Sequence, residues 1–109
     1  MQYIYDGEFY KAVKISGPKH NLLGISFGMC DCPKILSLNK KSDESLIDEN
    51  DVLSQVKNGI EKINEELGAE YSVSQIQFVS SDTPSEVIYD ELAQEIVKRL
   101  HQGGEFVKV

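Results

Sequence analysis

The residues best equipped for chemistry in this chain of 109 are two cysteines, two histidines and eighteen acids. Cys30 and Cys32 flank Asp31, so their thiolates could supply half of a tetrahedral metal site, with His20 and His101 completing it. Structural zinc usually takes four ligands from paired cysteine motifs, and a second pair is missing from the sequence. The spacing is also one residue short of a redox C-x-x-C, and a bridge inside it would close a small, strained ring. Two reduced thiols at a turn before Pro33 are the simpler reading. A small metal- or thiol-dependent enzyme using Cys30, Cys32 and His20 is the alternative.

Other motifs match in letters and fail in context. Gly24-Ile25-Ser26-Phe27-Gly28 fits the G-x-S-x-G pattern, and Ser26, Asp82 or Asp90, and His101 follow the chain order of an α/β-hydrolase triad. A nucleophile elbow needs a strand, a sharp turn and a helix, yet Met-Cys-Asp-Cys-Pro follows Gly28. Ser37-Leu38-Asn39-Lys40 satisfies S-x-x-K without its companion motifs. Asp48-Glu49-Asn50-Asp51 begins like a calcium loop, then places Val52 and Leu53 where ligands belong. Neither a phosphate-binding loop nor a dinucleotide fingerprint occurs. No catalytic residue, cofactor or metal is expected.

Charge is the stronger signal. The net charge is −7, which disfavours nucleic acid and anionic membrane as partners. Its distribution is uneven. Residues 1–42 carry six lysines against three acids, residues 43–95 carry fourteen acids against two lysines, and residues 96–109 carry three bases against one acid. The acids concentrate at Asp43, Glu44, Asp48, Glu49 and Asp51, and again at Asp82, Glu86, Asp90 and Glu91. Acids in a first helical turn are stabilised by the helix dipole, which accounts for some of them. Fourteen exceed what capping needs, and the field they create steers a cationic partner toward them. Lysines 11, 14, 19, 34, 40 and 41 near Tyr3, Tyr5, Phe9 and Tyr10 have the composition of a base-stacking platform, but the overall charge opposes that use.

The elements that must carry these groups are two helices and several strands, in one domain over residues 1–109. The first helix starts at Asp48, with Ile47 and Val52 as a hydrophobic staple. Val52, Val56, Ile60, Ile63 and Leu67 form its apolar stripe, and Gly68 ends it. For the second helix, Thr83, Pro84 and Glu86 read as cap, N1 and N3, and Gly103-Gly104 as the stop. Residues 8–16 and 22–28 alternate around a turn at 17–21 and predict an antiparallel hairpin. Residues 2–5, 34–38, 71–79 and 106–109 read as further strands. The fold class is α+β: an N-terminal antiparallel hairpin or meander, then α-β-α, with both amphipathic helices on one face of the sheet.

The function that follows is protein binding by a small acidic, cytoplasmic domain, since no signal or membrane-spanning segment is evident. A specific form is an inhibitor or immunity (antitoxin-type) protein neutralising a basic toxin or nuclease. Its contacts would be Asp43, Glu44, Asp48, Glu49 and Asp51, followed by Asp82, Glu86 and Asp90. The third class is a structural or oligomerising module, with a homodimer paired through an edge strand at 2–5 or 106–109.

Overall fold

The computed structural model describes residues 1–29, 32–38, 47–79 and 82–109. Its elements are β1 (Gln2–Tyr5), β2 (Tyr10–Ser16), β3 (Lys19–Phe27), β4 (Lys34–Ser37), α1 (Glu49–Leu67), β5 (Val73–Phe78), α2 (Ile88–His101) and β6 (Val107–Lys108). The sheet order is β4-β5-β3-β2-β1-β6. The first three strands form an antiparallel meander, and β5 adds antiparallel to β3. Among the described residues, only the outer pairs, β4 with β5 and β6 with β1, are parallel.

The hairpin turn is tighter than its composition suggests. Ser16 pairs with Lys19, so Gly17 and Pro18 alone make the turn, and Gly17 has φ 61. That positive φ at the first central residue suits the strand twist of a two-residue hairpin. His20 and Asn21 are therefore strand residues.

Strand alternation then sorts the side chains. Cross-strand partners Ala12–Leu23–Phe78 and Ile25–Ile76 belong to the core shared with both helices. Tyr3, Tyr5 and Tyr10 share that side by register, while Ile4, Lys11, Gly24, Gln77 and Leu36 line the opposite side. Helix α1 contributes Val52, Val56, Ile60 and Ile63 to the core, and α2 contributes Ile88, Tyr89, Leu92, Ala93, Ile96 and Val97.

Helix α1 begins as its sequence requires. The Asp48 carboxylate accepts from the Asn50 amide at 2.8 Å, Ile47 and Val52 are buried, and Gly68 closes the helix at φ 64. Helix α2 does not. It starts at Ile88 rather than beside Pro84, because Thr83 is held to β3. The Thr83 amide donates to the His20 carbonyl, and the His20 amide donates to the Thr83 hydroxyl. The first-turn amides find other acceptors. Ser85 Oγ accepts from Val87 and Ile88, and Gln55 of α1 accepts from Tyr89 while its amide nitrogen donates to the Ser85 carbonyl. A side chain from another helix supplants the expected capping box.

Glycine permits a close contact between the helices. A Cβ placed on Gly59 would stand 2.5 Å from the Asp90 carbonyl oxygen, so the two backbones approach to within a methyl group of each other. No described helix is long and apolar enough to cross a membrane.

Candidate functional site

Helix direction decides where the acids gather. Both α1 and α2 leave the sheet at the end where β4 and β5 finish. Gln55 touches Ser85 and Tyr89, and Asn58 and Lys62 touch Asp90, so the helices advance together. Their starts consequently share one end of the molecule with the β2–β3 turn.

The acids there fall into two groups. Asp48, Glu49, Asp51 and Glu86 are exposed, and none of them forms an ion pair among the described residues. Asp48 is partly committed as the cap of α1. Glu91, also exposed, lies 3.8 Å from Lys14. Asp43 and Glu44 lie outside the described residues.

Asp82 and Asp90 point inward and are withdrawn from any docking face. Asp82 is 3% exposed; one carboxylate oxygen is 2.8 Å from His20 Nδ1, and the other accepts from the Leu22 amide at 2.8 Å. It ties the segment before α2 to the start of β3. Asp90 is 7% exposed and accepts from Asn58 at 2.6 Å, from Lys62 at 3.0 Å and from Gln94. Burial alone would raise its pKa, but the hydrogen bonds from Lys62, Gln94 and Asn58, with the lysine's charge, hold it below the ordinary value. These carboxylates organise the fold.

Their burial left a trace in the sequence. Asp90 precedes Ala93 and Val97 by three and seven residues, the spacing of one helix face. Gly59 likewise lies between Val56 and Ile63 on the apolar stripe of α1. Asp82 carries no such periodic signal, because its partners come from β3.

A further acid, Asp6, lies outside the dense acidic groups. Its Oδ1 accepts from the Phe9 and Glu8 amides at 2.7 and 3.0 Å, and Lys11 Nζ stands 3.1 Å from Oδ2. The Phe9 amide is the chief cause of a pKa held down to about 2. Tyr89, beneath Asn21, has its hydroxyl pushed up to about 12, first by burial.

The metal and nucleophile arrangements receive little geometric support. Among the described residues, no group of three or more histidine, cysteine, aspartate or glutamate side chains could hold a metal ion. Cys30 lies outside those residues. Cys32 is exposed and follows the far end of β3, whereas His20 stands at its beginning, roughly 23 Å from Phe27 at a strand's rise per residue. His101 pairs with the Tyr71 hydroxyl at 3.1 Å instead. Ser26 is a strand residue opposite Gln75, without an elbow, and Asp82 is engaged at the other end of β3.

Strand alternation also divides the lysines of the stacking platform. Lys11 faces away from the helices, while Tyr3, Tyr5, Tyr10 and Phe27 are on their side. Lys14 shares the tyrosines' side but is turned toward Glu91 of α2.

No protein family matches this chain, and neither do any curated protein or solved structure.

Proposed function

We propose that this chain is a small protein-binding domain that neutralises a basic protein, in the manner of an inhibitor or immunity protein. The partner face is the end bearing Glu49, Asp51 and Glu86, with Asp48 at its margin. One observation carries the reading: parallel helices bring exposed acids to a common end without lysine or arginine partners among the described residues. Unpaired acids of one sign repel each other, so their grouping is better suited to a cationic partner than to stability. A toxin or nuclease that binds phosphate presents such a surface.

The buried Asp82 and Asp90 support this role indirectly. They tie the segment before α2 to β3 and α2 to α1, so the segments bearing the exposed acids are anchored to the core. A preorganised face loses less entropy on binding than a mobile one.

The test compares the wild-type chain with a Glu49→Lys/Asp51→Lys/Glu86→Lys variant as immobilised bait in native cytosol at low and high salt. The expected result is a basic protein retained by wild type at low salt, released at high salt and inhibited in its own activity by the added domain. Charge reversal should slow its association by roughly 10-fold or more. A captured partner that is insensitive to salt and to the triple substitution would refute the acidic-face reading.

A further inference from the structure

The last residues form a strap over an aromatic seat. Helix α2 ends in a turn in which the Gly104 amide donates to the Arg99 carbonyl at 2.8 Å and the Gly103 amide to the Leu100 carbonyl at 3.2 Å. Gly103 has φ 73, the left-handed conformation that reverses a chain at a helix end. Arg99 then holds the outgoing segment, its Nε donating to the Glu105 carbonyl and its guanidinium lying 4.2 Å over the Tyr3 ring.

Beyond that point the strap has one substantial anchor. Phe106 meets Tyr3 edge-on at 5.8 Å and Tyr10 at 5.0 Å. Val107 and Lys108 pair with Ile4 and Tyr5, and the Val109 amide donates to the Tyr5 carbonyl at 3.2 Å. Val107 and Val109 remain 66% and 81% exposed. Phe106 also does not fill its surroundings. Hollows of about 540 and 470 Å³ both border it, one with Tyr3, Ile4 and Arg99, the other with Tyr5, Tyr10 and Leu100.

We propose that the outer edge of β1 is a docking site for an extended partner peptide, and that residues 105–109 occupy it in cis as a displaceable strap. The strap itself specifies the ligand's chemistry. It runs parallel to β1, presents an aromatic side chain to Tyr3 and Tyr10, and places an aliphatic residue beside Ile4. Main-chain pairing supplies adhesion and the aromatic seat supplies selectivity, as in strand addition to a sheet edge. Arg99 stays behind when the strap leaves, but Glu95 also reaches Tyr3 and offsets its charge, so main-chain pairing and the aromatic contact select the segment. This partner is held by strand pairing and aromatic contact, unlike the one proposed at the helix starts, and the two sites can fail independently.

A peptide with the sequence of residues 104–109 is the probe, titrated into the full chain and followed by NMR at Tyr3 and Tyr5. Occupation in cis reduces apparent affinity by the fraction of chains already open. A full chain carrying Phe106→Ala should bind the peptide at least about 10-fold more tightly than wild type. A peptide carrying the same Phe106→Ala change should bind neither chain. Hydrogen exchange on wild type gives an independent measure. The Val107 and Val109 amides should exchange at least about 100-fold faster than those of Leu23 and Ile25, through opening of the strap alone. Absence of peptide binding to the Phe106→Ala chain, or equal exchange at strap and core, would overturn the proposal. So would a wild-type dimer held by this segment, because the seat would then belong to a second copy.

Discussion

Replacing Gly59 with alanine sets two calculable effects against each other. Alanine is favoured over glycine inside a helix by about 1 kcal/mol. At this position, however, the new methyl carbon would stand 2.5 Å from the Asp90 carbonyl oxygen and 3.1 Å from its carbonyl and α carbons. Both neighbours are backbone, so rotamer changes cannot relieve the clash, and the helices must separate by roughly 0.5–1 Å, enough to forfeit a quarter to a half of each facing dispersion contact. The shift also strains the bonds from Gln55 to Ser85 and Tyr89, at 2.8 and 3.0 Å, and from Asn58 to Asp90 at 2.6 Å. Overpacking costs about 1–3 kcal/mol, and a buried polar group left unpaired costs about 1–3 more. After the propensity gain, the net loss should be about 3 kcal/mol, or roughly 12–24 °C in Tm for a domain of this size. Urea and thermal unfolding followed by circular dichroism measure it. Ser54→Ala, on the exposed side of α1, serves as the control and should change stability by no more than about 0.5 kcal/mol. A Gly59→Ala protein as stable as wild type would refute the close-contact argument.

Other perturbations address the carboxylates and the buried phenol. Asp82→Ala removes the acceptor for the Leu22 amide and the His20 ring, and should cost about 1–3 kcal/mol in urea unfolding. Asp6 is held down to about 2 and Asp90 is also lowered from 3.8, so their stabilisation is present above pH 4 and is lost as pH falls toward 2. Equilibrium unfolding across that window should weaken progressively, and Asp6→Asn should flatten the slope. Tyr89 has the opposite sign: its contribution is complete below its unfolded value of 10.0 and disappears as pH rises through about 12. Tyrosinate absorbance should then show one phenol ionising together with loss of structure, and Tyr89→Phe should abolish that coupling.

The acidic helix starts and the strap divide the molecule into two electrostatic settings. Glu49, Asp51 and Glu86 stand where both helices begin, whereas Arg99 and Lys98 stand in the last turn of α2. The helix dipole favours each arrangement locally. Its strength is modest, so a preference for dipole compensation does not by itself demand that the acids of two helices share one end. That convergence comes from the parallel crossover of β4, α1 and β5, followed by α2.

Local chemistry made some elements legible from sequence and concealed others. Asp48, Val52 and Gly68 announce α1 because cap, staple and stop all act within a few residues. The glycines after α2 announce its end for the same reason. Its start was obscured by Thr83, which resembles a cap but bonds to His20, and by Gln55, which supplies an acceptor from another helix. Periodicity could flag Asp90 and Gly59 as lying on packed faces, but it could not identify what they packed against.

The sequence by itself determined the α+β class, the core stripes of both helices and the concentration of acid near their starts. These properties follow from side-chain period and local hydrogen bonding, which a linear pattern records. Tertiary structure alone decided which acids remained free: Asp82 is claimed by β3, Asp90 by α1, while Glu49, Asp51 and Glu86 stay in water. The physical reason is that, apart from Gln94 one turn beyond Asp90, the donors to these carboxylates come from 28 to 62 residues away, and that distance closes only when the chain folds.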